Sequence, residues 1–381
     1  MAGKSHAFFT IVSPGIEAAC EAEFFSLGTP VPDIKREKGG IGFSGRLHDC
    51  YHANLHLRTA SRILMRIGEC KVTNFRELFR KIVQIPWELY LSWGLLPEMN
   101  IASHGSRLFH KEAIQETILS GIEKRWEQLA EKEPSSLPPL FSPQVFARMA
   151  DDLLTLSIDS SGDILYKRGI KTGKGRAPIR ETIAAAALKI AGYDGSLPLI
   201  DPLCGSGTFS IEAAMIRKNL PPGWFRNFAF MDWPSFQKGR WAHERREAEK
   251  MIRPLDRPLI FASDKDASAL LGLRERLSSG GLLEEIELSC RDFFSFTPSQ
   301  VTTQKGVVVL NPPYGVRLGT EAESDRFFDQ IIKKLRKDYR GFKAVIIASG
   351  VNREKRMPFE AFRNPFFHGG LMLDMIIGHI P

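Results

Sequence analysis

Short apolar runs alternate with amphipathic stretches along the second half of the chain. Runs of four or five apolar residues are typical of parallel strands covered on both faces, and apolar residues at every third or fourth position are typical of helices. This alternation predicts a doubly wound α/β sheet that ends in an antiparallel hairpin. The predicted strands are residues 197–201, 259–263, 286–290, 307–310 and 342–348, and the hairpin covers residues 365–380.

The first 165 residues have a less regular pattern of strands and helices. Residues 1–65 predict a small ferredoxin-like α/β module. Residues 66–165 predict an α+β module that ends in a hairpin with strands at 153–158 and 163–167. Residues 166–381 form a third domain, and a fragment that starts near Asp163 is expected to fold by itself.

Composition and charge narrow the function classes. The chain has 381 residues, 43% of them hydrophobic, and a net charge of +8 that favours a polyanionic partner. Its five cysteines show no Cys-x-x-Cys spacing, which gives no zinc-finger or disulfide pattern and indicates a reducing compartment. The sequence contains neither an apolar run long enough to cross a membrane nor a signal-peptide pattern. We therefore expect a soluble, cytoplasmic protein.

A glycine-rich turn follows the first predicted strand of the third domain. It reads Asp-Pro-Leu-Cys-Gly-Ser-Gly-Thr-Phe at residues 201–209, and a helix is predicted to begin near Thr208. Alternate glycines let the backbone approach a ligand, and a helix start directs free N–H groups at it. No Gly-Lys-Ser/Thr follows, so this is not a Walker loop. A single Gly-x-Gly is also compatible with an ordinary strand-to-helix turn.

A second turn, Asn-Pro-Pro-Tyr, follows the apolar run at residues 307–310. Its two prolines cannot continue a strand or a helix, so the chain stops at the carboxyl edge of the sheet. There Asn311 offers an amide oxygen and Tyr314 an aromatic face. Both suit a planar base that carries an exocyclic amine.

Together, the motifs at residues 201–209 and 311–315 resemble the cofactor and amino-methylation motifs of S-adenosylmethionine-dependent methyltransferases. Residues 176–188 and 220–233 are similar to one subgroup, the THUMP-domain guanine-N2 RNA methyltransferases, in particular the bacterial enzymes for 23S rRNA. The element order of residues 66–165 also resembles a THUMP domain, which is an RNA-binding module. One position departs from the family pattern, because Val316 stands between Gly315 and Arg317 where Glu is usual.

The resemblance implies a Rossmann-like methyltransferase domain that uses S-adenosylmethionine and no metal ion. The sulfonium methyl group would pass directly to an exocyclic amine, guanine N2 or adenine N6, whose protons Asn311 and the Pro312 carbonyl accept. The implied catalytic turn contains Asn311, Pro312, Pro313 and Tyr314. The implied cofactor contacts are Asp201, Leu203, Cys204, Gly205, Gly207, Thr208, Asp264, Asp292 and Asn311. For Cys204 we favour packing or a backbone contact over a nucleophilic role.

Three acidic residues end or follow predicted strands, namely Asp201, Asp264 and Asp292, and we expect them to converge on one crevice. Ligands of open α/β sheets bind outside the carboxyl ends of the strands. Asp264 is expected to accept hydrogen bonds from ribose hydroxyls, and Asp292 from the adenine amine. The alternative for Asp264 is the N-cap of the helix near Ala267, a role for which Asp266 competes.

A basic segment with several glycines leads into the third domain. We expect its side chains to contact RNA phosphates, although a solvated linker is the alternative. Its cations are Lys167, Arg168, Lys171, Lys174 and Arg176.

Histidines recur at every fourth position of a predicted helix, at residues 48, 52 and 56. This spacing could place them on one metal-binding face. No carboxylate or cysteine-rich partner set accompanies them in the sequence. A solvated or partly buried helix face is therefore favoured, and no metal site is predicted.

Other functions stay open on the sequence alone. A DNA adenine-N6 methyltransferase uses the same Asn-Pro-Pro-Tyr chemistry, and tRNA enzymes share the plan of a THUMP domain followed by a methyltransferase domain. A non-enzymatic role in RNA binding or ribosome assembly is the third alternative, and the two intact motifs weaken it. The N-terminal modules favour RNA, and residues 220–233 favour rRNA.

Overall fold

Each of the two compact units of the protein is assembled from three chain segments. The first contains Met1–Val12, Phe24–Leu165 and Arg226–Glu247, and the second contains Ser13–Glu23, Tyr166–Phe225 and Ala248–Pro381. The computed structural model describes residues 5–27, 33–129, 138–170, 179–313, 321–349, 353–357 and 359–381. The sequence-based division into three domains stays a prediction.

Helices make up much of the described chain in both units. They are α1 (Glu17–Ser26), α2 (Leu47–His56), α3 (Phe75–Val83), α4 (Lys111–Gln128), α5 (Glu181–Ile190), α6 (Thr208–Arg217), α7 (Lys238–Lys250), α8 (Ala267–Ser279) and α9 (Glu321–Asp338). Asn74 caps α3, because its side chain accepts a hydrogen bond from the Glu77 N–H at 2.9 Å. Among the described residues, no helix is long and apolar enough to cross a membrane.

A mixed sheet forms the framework of the first unit. Its strands are β1 (His6–Val12), β2 (Lys35–Glu37), β3 (Gly40–Gly45), β4 (Ala60–Lys71), β5 (Glu98–His104), β6 (Gln144–Ala150) and β7 (Leu153–Asp159). Their order is β2-β3-β1-β4-β7-β6-β5, in which β5 and β6 are parallel. The long strand β4 pairs with both β1 and β7, so residues on both sides of position 65 share one sheet.

The hairpin of this sheet lies one strand earlier than the sequence predicted. β6 and β7 pair as antiparallel strands around Asp151 and Asp152, which both have positive φ. Residues 163–167 form no strand. Instead, the Arg226 guanidinium donates to the carbonyls of Ser161, Asp163 and Ile164, which takes these groups away from a ladder.

A second mixed sheet forms the framework of the second unit. Its strands are β8 (Leu199–Asp201), β9 (Ile260–Asp264), β10 (Ile286–Cys290), β11 (Val307–Leu310), β12 (Lys343–Ala348), β13 (Ala361–His368) and β14 (Leu371–His379). Their order is β10-β9-β8-β11-β12-β14-β13. The first five are parallel, and β14 pairs antiparallel with β12 and β13. The predicted fold class is confirmed, including the antiparallel terminal hairpin.

The strands of the second sheet are buried because helices supply the apolar cover that their sequence requires. All four residues of β11 are fully buried, as their unbroken apolar run predicts. α9 contributes Phe328, Ile331 and Leu335 to the same core, and α5 buries its row of alanines. Small side chains let a helix approach its neighbours closely, and this brings α5 near α6.

Residues near the start of the chain complete the second unit. Gly15 has φ of +96°, and a Cβ there would overlap the backbone of Pro365 in β13. The Asn364 amide donates to the Gly15 carbonyl at 2.8 Å, and the Phe367 N–H donates to the Pro14 carbonyl at 3.0 Å. A fragment that starts near Asp163 therefore lacks residues 13–23 of this unit, and its independent folding stays a prediction.

Candidate cofactor and base site

The loop between β8 and α6 requires glycine at two positions. Gly205 and Gly207 have φ of +51° and +75°, in the left-handed region that other residues rarely adopt. A Cβ at Gly207 would also overlap the Leu273 side chain of α8, whereas a Cβ at Gly205 would meet nothing. Gly207 is the N-cap of α6, so the loop leads directly into a helix N-terminus.

Some N–H groups of this loop already have partners inside the protein. The Cys204 N–H donates to the Ser263 carbonyl at 3.0 Å, and the Gly207 N–H donates to the Cys204 carbonyl at 2.7 Å. The Gly205 N–H donates to Asp264 Oδ2 at 2.9 Å. These bonds tie the loop to the end of β9 and fix its shape.

Asp201 lies inside the protein at the end of β8. Only 2% of it is exposed, and the Ser210 hydroxyl of α6 donates to its Oδ2 at 2.7 Å. Burial raises the pKa of Asp201 to about 7, with the neighbouring Asp264 acting in the same direction and the Ser210 hydrogen bond opposing it. The position of Asp201 therefore indicates that it anchors α6 to the sheet.

Asp264 and Asp266 divide the two roles that the sequence left open. The Asp266 side chain accepts the Ser268 N–H at 2.9 Å and caps α8. Asp264 does not cap the helix; its Oδ1 accepts the Asp266 N–H at 3.0 Å, and its Oδ2 accepts the Gly205 N–H. The Asp264 carboxylate thus joins the glycine loop to the α8 turn and stays half-exposed at the strand end.

Asp292 follows β10 and is exposed. Its Oδ2 accepts the Phe294 N–H at 3.0 Å, and its Oδ1 has capacity for a further donor. The parallel strands β10, β9, β8 and β11 place Asp292, Asp264, Asp201 and Asn311 in that order along one edge of the sheet. The sequence predicted this convergence.

Asn311 comes directly after β11, and its Oδ1 atom is buried without a hydrogen-bond partner among the described residues. Pro312 is buried and Pro313 is half-buried. Tyr314, the fourth residue of the predicted catalytic turn, lies outside the described residues. A buried amide oxygen without a partner is costly for the protein, so this atom is suited to accept a donor from a bound ligand.

Three further predicted contacts line the same loop. The hydroxyl of Thr208, in the first turn of α6, is also buried without a partner among the described residues. Leu203 packs against the core of the unit. Cys204 is buried, and burial raises the pKa of its thiol well above the usual value, so the thiol is not the reactive thiolate that nucleophilic attack requires.

The basic segment is only partly described. Lys167 is exposed. Arg168 is buried and its Nε donates to Glu212 Oε1 of α6 at 2.8 Å, so its guanidinium is not presented to solvent and we leave it out of the RNA contacts. Lys171, Lys174 and Arg176 lie outside the described residues.

One pair of residues that the sequence did not single out supports the loop. Arg276 of α8 donates from Nη1 to the Ser206 carbonyl at 2.5 Å, and its Nη2 lies 3.5 Å from Glu181 Oε1. Both side chains are buried, and burial raises the pKa of Glu181. No local pattern joins these two residues, because they meet through the tertiary fold.

Two family profiles match the chain. Residues 168–364, more than half of the chain, match the RMKL-like methyltransferase domain. Residues 7–64 match the RlmL ferredoxin-like domain. The predicted ferredoxin-like character of the N-terminal region is therefore confirmed for residues 7–64.

Relatives align over nearly the whole chain. A candidate RNA methyltransferase of Synechocystis sp., slr0064, is 30% identical over 96% of this chain and 94% of its own length. The ribosomal RNA large subunit methyltransferase K/L of Cellvibrio japonicus is 28% identical over 98% of this chain. The chain spans about half (51%) of the length of that K/L enzyme.

Solved structures share the fold over the whole chain. SMU.472, a candidate methyltransferase complexed with SAH, has a TM-score of 0.85 at 28% identity and covers 99% of both chains. A predicted N6-adenine-specific DNA methylase from Listeria monocytogenes has a TM-score of 0.85 at 31% identity over 99% of this chain and 97% of its own.

The matched ranges contain the predicted cofactor and base site, and the role of each site residue stays a prediction. The profile for the methyltransferase domain covers the glycine loop, the acidic strand ends and Asn311. The match to SMU.472 also includes the N-terminal region. The chain therefore belongs to the RMKL-like methyltransferase family, as the resemblance of its motifs predicted.

Proposed function

We propose that this chain transfers a methyl group from S-adenosylmethionine to the exocyclic N2 amine of a guanine in RNA, with 23S rRNA as the substrate. The Oδ1 atom of Asn311, which is buried without a hydrogen-bond partner among the described residues, carries the proposal. It lies at the carboxyl edge of β11, where a base would enter. An amide oxygen there accepts an N–H of the exocyclic amine and draws electron density toward the nitrogen that must attack.

The cofactor is S-adenosylmethionine, as the sequence predicted. The family profile is that of a methyltransferase domain, and SMU.472, which has the same fold, is complexed with SAH. The described residues fit this cofactor, because a Cβ at Gly205 would meet nothing, so the loop backbone is open to a ligand there, and the buried Thr208 hydroxyl has no hydrogen-bond partner among the described residues. When bound, the cofactor supplies an electrophilic methyl group.

The residues of the chain have distinct roles in this proposal. The loop at residues 203–207 holds the cofactor through its backbone, and Asp264 accepts hydrogen bonds from the ribose hydroxyls of the cofactor. Asp292 accepts a hydrogen bond from the adenine amine through Oδ1. Asn311 and the Pro312 carbonyl orient the amine of the substrate, and Tyr314 stacks on the flipped base. Buried Asp201 acts indirectly by anchoring α6.

RNA is favoured as substrate by the charge of the chain and by its relatives. The net charge of +8 suits a polyanion. The Synechocystis relative and the K/L enzyme are named as RNA and ribosomal RNA methyltransferases, and the N-terminal region matches the RlmL ferredoxin-like domain. The five cysteines show no Cys-x-x-Cys spacing, which agrees with the proposed cytoplasmic location.

Methylation of adenine N6 in DNA is the second candidate function. The Listeria structure carries that description at 31% identity. The Asn-Pro-Pro-Tyr turn serves adenine N6 as well as guanine N2, because both are exocyclic amines conjugated to a ring.

The deciding experiment identifies the modified nucleoside. The full chain is incubated with isotope-labelled S-adenosylmethionine in three separate reactions that contain unmodified 23S rRNA, tRNA or duplex DNA. The nucleic acid is then digested to nucleosides, and the labelled nucleoside is identified by mass spectrometry. We expect labelled N2-methylguanosine from 23S rRNA, formed about 10²-fold or more slowly with Asn311→Ala. Labelled N6-methyladenine from DNA would support the second candidate. Label in tRNA alone would move the substrate to tRNA.

A further inference from the structure

Three metal-binding side chains meet between two helices of the first unit. His52 and His56 lie one turn apart on α2, and Glu244 lies on α7, 188 residues or more further along the chain. One ligand atom from each residue lies within 4.8 Å of the others. The carboxylate that the sequence did not offer beside these histidines is therefore supplied by the tertiary fold.

The contacts within this group are close. His52 Nδ1 lies 2.6 Å from Glu244 Oε1, and His56 Nε2 lies 3.4 Å from the same oxygen. The two imidazole rings have their centres 4.3 Å apart. Each side chain is about one-fifth exposed, at 20%, 21% and 19%, so the group is sheltered but reachable. The other nitrogen of His52, Nε2, is buried without a partner among the described residues.

Aromatic packing holds the two helices in this arrangement. Tyr51, next to His52, stacks on Phe230 with ring centres 4.4 Å apart, and Trp241 of α7 meets its edge at 6.3 Å. The Tyr51 hydroxyl accepts the Gln237 N–H at 3.1 Å. Since Trp241 lies one helical turn before Glu244 and Tyr51 directly precedes His52, little chain entropy is lost when the three ligands bind one ion.

We propose that His52, His56 and Glu244 form a binding site for one divalent transition-metal ion, with zinc as the best match. Two imidazoles and one carboxylate are a ligand set that zinc uses in proteins. Tetrahedral coordination at about 2.0–2.1 Å places neighbouring donors about 3.4 Å apart. The present separations require side-chain adjustments of about 1 Å. Water supplies the fourth ligand in this proposal, since the three side chains are partly exposed.

The surroundings of the site indicate a structural role for the ion. A hydrolytic zinc site of the His-Glu-x-x-His type has a general base beside its first histidine, and Ala53 stands at that position here. The next residue, Asn54, directs its amide to the Cys50 carbonyl and Ser160 Oγ. The ion would therefore clamp α7 to α2 and stabilise the folding of residues 226–247 into the first unit.

Zinc binding to the full chain tests the proposal. The protein is purified without a polyhistidine tag, stripped with a chelator and titrated with Zn²⁺ against a chromophoric zinc indicator, and the same titration is made with Co²⁺. We expect one zinc per chain, a visible Co²⁺ spectrum of four- or five-fold coordination, and a higher Tm with zinc. Loss of a residue that only hydrogen-bonds to a metal ligand costs about 10- to 100-fold in metal affinity. Since His56→Gln and Glu244→Gln each remove a ligand itself, they should weaken zinc binding by at least about 100-fold.

Two matched variants act as controls. His48→Gln removes the third histidine of α2, which lies beside Asp49, and His243→Gln removes the exposed neighbour of Glu244. Both should bind zinc as the unchanged chain does. Absence of stoichiometric zinc binding by the unchanged chain would overturn the proposal whether or not any variant folds. Equal loss of binding in the control variants, or full binding by Glu244→Gln and His56→Gln, would also overturn it.

Discussion

Asn311 is the single residue on which the proposed chemistry depends most directly. Asn311→Ala removes the buried acceptor while leaving the glycine loop and Asp264 intact. We expect methyl transfer to fall by about 10²-fold or more, with cofactor affinity nearly unchanged, because loss of one oriented polar group at a reacting centre has that size. Single-turnover assays and calorimetric titration measure the two quantities.

A matched asparagine variant separates chemistry from stability in that test. Asn74→Ala deletes the cap of α3 in the other unit and should cost about 1 kcal/mol of stability without changing turnover. Near-normal turnover of Asn311→Ala would remove Asn311 from the catalytic turn.

Asp264 and Asp266, two residues apart, should have separable effects. Asp264→Ala should weaken S-adenosylmethionine binding by about 1–3 kcal/mol, because it removes an acceptor of charge-assisted hydrogen bonds and the partner of the Gly205 N–H. Asp266→Ala should lower stability by about 1 kcal/mol through loss of the α8 cap and leave affinity nearly intact. Calorimetry and thermal unfolding report the two effects, and equal losses of affinity in the two variants would contradict this division.

Asp201 should make the stability of the folded chain fall as the pH rises. Its pKa of about 7 in the folded protein exceeds its ordinary value of 3.8, so the folded state holds the proton more tightly than the unfolded state does. The stability from this group is fully present below pH 3.8 and is lost as the pH rises through 7. In the absence of cofactor, Asp201→Asn should therefore unfold with a flatter pH dependence than the unchanged chain between pH 5 and pH 8. Parallel slopes in urea unfolding would contradict the assignment.

At the scale of elements, the loop between β8 and α6 depends on its two glycines to different degrees. Both have left-handed backbone, which costs another residue about 1–2 kcal/mol. Gly205→Ala should lose about that much stability. Gly207→Ala should lose more, because its Cβ also overlaps Leu273. Urea unfolding of the two variants gives the comparison, and an equal loss would show that Leu273 moves aside without cost.

Some elements were predictable from the sequence because their signals are local. The unbroken apolar run of β11 and the adjacent prolines gave the strand bounds and the position of Asn311. The hairpin of the first sheet was misplaced, because its real turn at Asp151 and Asp152 has the left-handed backbone that glycine usually adopts. Ser160-Ser161-Gly162, between the two predicted strands, was the stronger turn signal in the sequence. The burial of Arg168 and the meeting of Glu244 with two histidines were not predictable, because their partners are 44 and 188 or more residues away.

At the scale of the whole molecule, binding of RNA should depend steeply on salt. Each lost phosphate contact should lower the slope of log K against log salt concentration by about 0.7–0.9. Lys167→Glu, alone or with charge reversals at Lys171, Lys174 and Arg176, should therefore weaken binding to rRNA fragments and flatten this slope, with cofactor affinity unchanged. Lys333→Glu, at an exposed position on α9, makes the same change in net charge as Lys167→Glu alone and should have a smaller effect on the slope. Filter binding over a salt series measures the slopes, and equal slopes for both variants would place the RNA elsewhere.

The contact of Gly15 and Pro14 with β13 has a consequence for biosynthesis. Residues 13–23 are translated more than 300 residues before residues 361–379, which they contact in the folded unit. The second unit therefore cannot close until residues 361–379 have been made, and its earlier segment must stay available until then. The first unit meets the same delay on a smaller scale, since it waits for Arg226–Glu247. Chaperones that hold nascent chains would meet both units of this protein in incomplete form.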